Sequence, residues 1–282
     1  MTPHLPTHLT THLRHLLHLP RLLRETWASR GFIVASVKRD FHSRYLGTQF
    51  GWLWAIIQPL AMLTVYTVVF SRIMKAGLPG HTSPWAYSIY LCAGLLAWGL
   101  FSELLSRSTS VFVHNANLLK KVSLPKLALP AIVLISSLIN YAIVMSAFMA
   151  FLILTGNFPG WAVLAAIPVL LILIGFTLGL GILCGTINVF YRDVEQTLGV
   201  TLQFWFWLTP VVYVSKTLPD SITRIMQANP MWPIITALQG IFLDARWPDW
   251  SALIWPALIA IALPALAMFA FARLSGEIVD EL

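Results

Sequence analysis

The chain has few charged residues and only two cysteines. Charged residues make up 10% of its 282 residues and hydrophobic residues 58%, against roughly 25% and 45–50% in soluble domains. This balance excludes an ordinary soluble domain, a disordered chain and a disulfide scaffold. Cys92 and Cys184 lie in separate apolar runs, so there is no CxxC pair and no cysteine-based zinc site. We therefore expect an integral membrane protein with two buried, inert cysteines.

Long runs without Asp, Glu, Lys or Arg indicate membrane spans, because about 20 apolar residues cross the hydrocarbon core as a helix. The longest run, Leu127 to Tyr191, is interrupted by the turn-forming segment Gly156 to Gly160, which predicts a helical hairpin. Together the runs predict six spans, near residues 51–71, 85–102, 127–155, 161–190, 197–214 and 251–272.

The segment between the fifth and sixth spans is apolar but interrupted. Pro230 and Pro233 leave only a short helical stretch before Asp244, which is too little for a span. We therefore expect short re-entrant helices within residues 216–250. The predicted fold is an all-α integral membrane protein, with a six-span domain at 47–273 and a cytoplasmic tail at 274–282.

Lys and Arg are distributed unevenly over this topology. With the N-terminus inside, thirteen fall on the cytoplasmic side and five on the outer side, which satisfies the positive-inside rule. Both termini are therefore expected in the cytoplasm and the chain in the inner (plasma) membrane, with no signal peptide before the first span. In a chain this apolar, the net charge of +7 favours membrane lipids over nucleic acid as the partner.

The N-terminal region divides into a His-rich cytoplasmic tail, 1–30, and an amphipathic interface helix, 31–46. The histidines of the tail have no accompanying carboxylate or cysteine, so a poorly ordered or surface-lying tail is favoured over a metal site. The helix has an apolar stripe, with Lys38 and Arg44 at its edges and Arg39 opposite. Two interpretations remain open: a membrane anchor, or a site where these cations meet the anionic head of a lipid-linked substrate.

The predicted spans contain no Asp, Glu, Lys, Arg or His. Ion-coupled transporters usually carry such a residue, although sodium bound by backbone carbonyls is not excluded. A membrane-embedded enzyme of glycan assembly would need carboxylates or histidines near an interface, and no DxD-type pair occurs. The sequence has no GxxxxGK[ST] motif, so we expect no ATPase activity in this chain. These absences predict a dimeric transporter subunit that depends on a separate motor protein.

Aromatic residues are dense in the fifth predicted span and beyond it. Consecutive aromatic residues cover every face of a helix, so some must face the interior. There they could stack on sugars, whereas a belt at the membrane interface is the equally weighted alternative. With two residues of the first span, the candidate channel aromatics are Tyr66, Phe70, Phe204, Trp205, Trp207 and Tyr213.

Two predicted cytoplasmic segments are candidates for motor docking. One runs from Asn115 to a helix-stopping Pro125, and the other is the short loop Arg192 to Glu195. A solvated loop with positive-inside charge is the alternative for both, and composition does not choose between them.

Several segments, taken together, resemble the permease subunits of polysaccharide ABC exporters, which belong to the type-2 ABC exporter permeases. The resemblance covers roughly residues 30–273 with the motifs in the expected order. The segments that carry it are Arg39-Asp40-Phe41, Arg44-Tyr45-Leu46-Gly47, Gly51-Trp52-Leu53-Trp54, Gln58-Pro59-Leu60, Asn117 to Pro125, Asn188 to Val194, Thr209 to Tyr213 and Asn229-Pro230-Met231.

This resemblance implies a homodimer bound to two ATP-binding-cassette subunits, which hold ATP and Mg; no cofactor or metal is expected in this chain. The substrate would be a glycan on a polyprenyl pyrophosphate, entering near Lys38, Arg39 and Arg44. ATPase coupling would fall to Asn115, Asn117, Leu118, Leu119, Lys120, Lys121, Val122, Pro125, Arg192 and Asp193.

Export of lipid-linked O-antigen is the leading interpretation. Capsular polysaccharide, teichoic acid, and a drug or small lipid are the alternatives within the same class of transporter. A membrane-embedded glycan-assembly enzyme is the remoter alternative.

Overall fold

The computed structural model describes residues 26–45, 83–121, 125–214 and 226–274, together with isolated positions within 53–81, 219–223 and 277–281. Most of the His-rich tail (residues 1–25), most of the first predicted span and most of the C-terminal tail lie outside these residues. The regular elements of the described ranges are helices. In chain order they are α1 (Arg30–Tyr45), α2 (Ala86–His114), α3 (Ala116–Lys121), α4 (Ala128–Leu154), a 3-10 helix (Gly160–Ala165), α5 (Ala166–Phe190), α6 (Asp193–Trp207), α7 (Met231–Asp244) and α8 (Trp250–Leu274).

Four of these segments are long and apolar enough to cross a membrane. They are α2, α4, the 3-10 helix continued by α5, and α8. Because each exceeds the roughly 20 residues that a bilayer requires, the chain is a multi-pass membrane protein. The long charge-free run is divided at the predicted turn, where Gly156 and Gly160 adopt φ values of +73° and +61°, a region that glycine enters without steric cost.

The second predicted span ends later than expected. α2 continues beyond residue 102 to His114, so the prediction of a loop from 103 is wrong for its first half, and Glu103 and Arg107 lie within the helix. Charged side chains do not break a helix, and these two form an ion pair at i and i+4, with 3.3 Å between Nη1 and Oε1.

The fifth predicted span is shorter than expected. α6 has 15 residues, which corresponds to about 22 Å of helix against a hydrocarbon core of about 30 Å. It ends at Trp207 because Pro210 has no N–H to donate and disfavours helical geometry in Thr209. The prediction of a continuous helix over 197–214 is therefore wrong, and the helix stops before Pro210.

α2 is the central helix, and it packs against α4, α5, α6 and α7. Its Phe101 lies at the centre of the main core, stacked on Phe176 of α5 and edge-on to Trp205 of α6, with centroid distances of 5.8 and 5.1 Å. A second core, near α3, contains Phe112 and Phe271, stacked at 5.5 Å. Aromatic pairs at these distances add to the energy of burial.

Glycines let α5 approach both neighbouring helices closely. A Cβ at Gly181 would lie 2.6 Å from the Cβ of Ser108 in α2, and one at Gly175 would lie 2.9 Å from the carbonyl oxygen of Ala260 in α8. Small residues at such positions are the usual means of close helix packing in membranes. Gly179 meets Pro264 in the same way, so α5 and α8 run parallel and both end near α3.

Candidate functional site

The first candidate region is the end of the molecule that carries α3. Asn115 turns the chain from α2 into α3: its Nδ2 donates to the carbonyl of Val111 at 2.8 Å, and its own carbonyl accepts the N–H groups of Leu118 and Leu119 at 3.0 Å. Leu119 is buried in the second core beside Phe112. These contacts fix α3 to the bundle.

The polar residues of α3 face outwards. Asn117 and Lys120 are exposed and Pro125 is half-buried. The side chain of Lys121 and all of Val122 lie outside the described residues. Because Leu118 and Leu119 face inwards, the surface that α3 offers to a partner is polar and basic.

The second predicted docking loop lies beside α3. Arg192 and Asp193 are exposed, and the neighbouring Glu195 Oε1 lies 3.8 Å from His114 Nε2, just before α3. The structure thus brings the two predicted docking segments to one surface.

Asn188 joins three helices beneath this surface. Its side chain is 1% exposed. Its Nδ2 donates to the carbonyl of Thr109 in α2 at 3.2 Å, and its Oδ1 accepts the N–H of Glu195 in α6 at 3.1 Å. A buried amide satisfied on both sides holds its neighbours in one arrangement. The sequence analysis did not name Asn188 as a candidate site residue, although an Asn at the end of a long apolar run is a signal that the sequence shows.

The second candidate region is α1, with its predicted cations. Lys38 and Arg39 are exposed, whereas the side chain of Arg44 lies outside the described residues. Ile33 and Val37 are buried against Ala128 at the start of α4. The inner part of the predicted stripe is therefore used for packing on the protein, and the two described cations remain accessible.

A polar cluster holds α1 to α2 and α4. Arg107 Nη2 donates to Asp40 Oδ2 at 2.7 Å, and its Nη1 donates to Glu103 Oε1 at 3.3 Å. Glu103 also accepts hydrogen bonds from Asn140 Nδ2 at 2.8 Å and from Ser137 Oγ at 3.4 Å. The sequence prediction ended the second span at residue 102 and missed this cluster, because the cluster depends on the packing of α1 against α2 and α4.

The third candidate region is the aromatic surface of α6. A groove of about 450 Å³ is lined by Trp98, Leu202, Gln203, Phe206 and Trp207. Trp207 is 63% exposed and Phe204, outside the groove, is 67% exposed. Flat rings beside an amide are the chemistry that suits a sugar, whose C–H faces stack while its hydroxyls form hydrogen bonds.

Trp205 occupies a different environment. It packs between Phe101 and Phe176, and its Nε1 donates to Asn229 Oδ1 at 2.9 Å. Asn229 Nδ2 in turn donates to the hydroxyl of Thr209 at 2.8 Å. These contacts give Trp205 a place in the core of the subunit, unlike Phe204 and Trp207.

The turn after α6 is fastened by side chains of α2 and α7. Tyr90 donates through its hydroxyl to the carbonyl of Tyr213 at 2.8 Å, and the Nε2 of Gln239 donates to the carbonyl of Pro210 at 3.0 Å. The hydroxyl of Tyr213 donates to the carbonyl of Trp207 at 3.1 Å. Tyr213 is therefore half-buried in the turn, and Tyr66 and Phe70 lie outside the described residues.

Comparison with known proteins identifies the chain. Residues 32–243 match the family described as ABC-2 type transporter. The chain belongs to this family. The predicted resemblance is therefore confirmed, and the role of this family as transport permeases agrees with the four apolar helices.

Individual ABC-2 relatives carry more specific names. The O-antigen export system permease protein RfbA of Myxococcus xanthus is 31% identical over 236 residues, which is 83% of this chain and 88% of that protein. The RfbA protein of Klebsiella pneumoniae is 28% identical over 75% of this chain and 80% of its own length. The polysialic acid transport protein KpsM of Escherichia coli is 21% identical over 74% and 82%.

Proposed function

We propose that this chain is the channel-forming permease subunit of an ABC exporter that carries lipid-linked O-antigen from the cytoplasm across the inner membrane. The observation that carries the proposal is the 31% identity, over 83% of the chain, to a relative named for O-antigen export. The lower identity, 21%, to a relative named for polysialic acid makes capsular polysaccharide the second choice. Teichoic acid and a drug or small lipid rank below it.

In this proposal the energy comes from two ATP-binding-cassette subunits, which hold ATP and Mg. They dock on the surface formed by α3, Arg192 and the first turn of α6, with Asn117, Lys120, Arg192 and Asp193 exposed there. Asn188 joins that surface to α2 and α6 through two hydrogen bonds. A movement of the docked ATP-binding subunits would be transmitted to the α6 groove through these hydrogen bonds of Asn188.

The lipid-linked substrate enters beside α1. The exposed Lys38 and Arg39 supply cations for its pyrophosphate, together with Arg44. An apolar groove of about 390 Å³ between α1 and α4, lined in part by Val34, Phe41 and Ile135, lies next to Lys38 and suits the apolar part of a lipid.

The glycan itself passes along the groove of α6. The exposed Trp207 supplies a ring face and Gln203 supplies an amide, whereas the core contacts of Trp205 give it a structural role. In the proposed homodimer two such grooves face one another across a channel.

Export in a deletion strain tests the function. Cells that lack the chain should accumulate the glycan inside and lose it from the surface, and wild-type protein should restore it. Trp207→Ala should reduce surface glycan at unchanged protein level, because a ring of the groove is lost. The matched control is Trp255→Ala on α8, a tryptophan exposed to a similar extent, 55% against 63%. Normal surface glycan in the deletion strain would overturn the proposed function.

Co-purification tests the docking surface. Lys120→Glu should reduce the amount of ATP-binding subunit recovered with the detergent-solubilised protein, because it places an acidic residue on a basic surface. Arg246→Glu, at an exposed position before the start of α8, at the other end of that helix, is the control. Equal recovery with both variants would exclude Lys120 from the docking surface.

A further inference from the structure

A cavity lies between α7 and α8, at the end of the bundle opposite α3. Its volume is about 270 Å³, or roughly nine liquid water molecules at about 30 Å³ each. One wall is a face of α7, and the other is the connection that leads into α8. In the proposed topology this end faces the outside of the membrane, where the exported glycan leaves.

The connection between α7 and α8 is built on a strained residue. α7 ends at Asp244, and Ala245 follows with φ of +53°, the one non-glycine residue with positive φ in the part of the chain that the structure describes. The left-handed conformation is disfavoured for an L-residue because its Cβ comes too close to the following carbonyl oxygen. The N–H groups of Ala245 and Arg246 both donate to the carbonyl of Gly240. The turn therefore places residues 246–249 over the C-terminal end of α7.

The residues placed in this way combine an aromatic face with charges of both signs. Trp247 is 62% exposed and lines the cavity together with Arg246 and Asp249. The guanidinium of Arg246 is held by the carboxylate of Asp244, which also accepts a hydrogen bond from His81 Nε2 at 2.8 Å. A guanidinium has five N–H donors, so donors remain for a ligand.

Asp249 supplies the acceptor. Its Oδ1 accepts hydrogen bonds from the hydroxyl of Ser251 at 2.7 Å and from the Ser251 N–H at 3.0 Å. These bonds lower the pKa of Asp249 below its ordinary value, so the group is a carboxylate at neutral pH. Its second oxygen can accept a hydrogen bond from a hydroxyl group of a ligand.

The α7 wall of the cavity is open because Gly240 has no side chain. A Cβ placed there would meet no atom within 4 Å. Next to it, Thr236 donates its hydroxyl proton to the carbonyl of Trp232 at 2.9 Å, so the hydroxyl oxygen can still accept a hydrogen bond. The cavity thus offers a ring face, donors, acceptors and room beside a bare helix backbone.

We propose that this cavity binds one pyranose unit of the glycan as it leaves the transporter, with the sugar stacked on Trp247 and its hydroxyls bonded to Arg246 and Asp249. The inference rests on the proposed function and adds a binding site to it. A sugar needs an aromatic face and polar groups around it, and both are present here. The volume suits one ring rather than a longer stretch of chain.

Filling the cavity tests the proposal without disturbing the fold. Gly240→Leu inserts a side chain into open space, and Trp247→Ala removes the ring. Gly99→Leu in α2 is the matched control, since a Cβ at Gly99 also meets nothing within 4 Å. Each variant is purified as the full chain in nanodiscs, and the probe is the oligosaccharide released by mild acid from the host's own lipid-linked glycan.

The readout is saturation transfer from protein to the sugar C–H protons in NMR. All four proteins are made in a Trp207→Ala background, which removes the exposed ring of the α6 groove from the readout. In that background we expect transfer with the unaltered cavity and with Gly99→Leu, and a loss of at least fivefold with Gly240→Leu and with Trp247→Ala. Equal transfer with all four proteins would overturn the proposed site. The deletion strain distinguishes failure of the proposed function from failure of the proposed sugar site. If cells without the chain keep normal surface glycan, the proposed function is overturned as well. If they lose surface glycan but transfer is equal in all four proteins, only the sugar site is overturned.

Discussion

Replacing Arg107 by alanine should loosen α1 from the helix bundle. Its guanidinium donates to Asp40 of α1 at 2.7 Å and to Glu103 of its own helix at 3.3 Å. The substitution removes the hydrogen bond and the positive charge through which α2 holds Asp40 of α1. Ile33 and Val37 still hold α1 against α4, so we expect local opening rather than global unfolding.

The size of the effect follows from the burial of the three side chains. Arg107, Asp40 and Glu103 are 25%, 30% and 24% exposed. Breaking a buried ion pair costs about 3–5 kcal/mol, whereas exposed pairs contribute roughly 0.2–1 kcal/mol. Side chains that are one quarter exposed lie between these limits, so we expect about 2 kcal/mol for the docking of α1.

Thiol labelling measures this opening directly. Ser36 faces the bundle and is 7% exposed, so Ser36→Cys should react slowly with a small methanethiosulfonate reagent. The background would carry Cys92→Ala and Cys184→Ala, so that the introduced thiol is the only one in the chain. Since 1.4 kcal/mol corresponds to tenfold in an equilibrium constant, 2 kcal/mol should raise the labelling rate by about 30-fold when Arg107→Ala is added.

A double-mutant cycle shows whether the ion pair is responsible. Asp40→Ala alone should also raise the labelling rate, but in the Arg107→Ala background it should add little, because the partner is already gone. An unchanged rate in Arg107→Ala, or strictly additive effects of the two substitutions, would refute the argument.

Three further substitutions test the packing and the coupling surface. Gly185→Ala should sharply reduce the yield of monodisperse protein on size exclusion, since its Cβ would lie 2.5 Å from the carbonyl oxygen of Ser108. Gly199→Ala, where a Cβ meets nothing within 4 Å, should leave the yield unchanged. Its higher helix propensity should stabilise α6 by up to about 1 kcal/mol. Asn188→Ala should lower the melting temperature, at a cost of about 1–3 kcal/mol for buried groups left unsatisfied. It should also reduce export while the ATP-binding subunit still co-purifies, and loss of that subunit would show that Asn188 only maintains the docking surface.

The helical fold could be predicted from the sequence because apolar runs and breakers leave clear signals. The turn at Gly156 and Gly160 divides the long run where expected, and α1 and α3 lie at the segments that the sequence indicated. These features depend on local chemistry, namely glycine conformations, proline stops and the period of apolar residues.

Other features could not be predicted, because they depend on partners distant in sequence. The predicted second span ended at residue 102 because charged residues follow it. In the structure Arg107 pairs with both Glu103 and Asp40, and the helix continues to His114. Aromatic density indicated a glycan surface but did not separate Trp205, fixed by Phe101 of α2, from the exposed Trp207. Only the packing of helices distinguishes such neighbours.

The glycine contacts of α5 bear on how such a molecule can move. At Gly175 and Gly179 it meets the backbone of α8, and at Gly185 it meets the backbone of α2, whereas at Gly181 only the small side chain of Ser108 lies between the helices. Helices slide past one another by exchanging side-chain rotamers, and bare backbones have none to exchange. We therefore expect α2, α5 and α8 to behave as one stiff lever, which transmits a push at α3 to its opposite end without bending. Rearrangement during a transport cycle would then be confined to the margins of this lever, where α1 and α6 are attached by smaller sets of apolar contacts and hydrogen bonds.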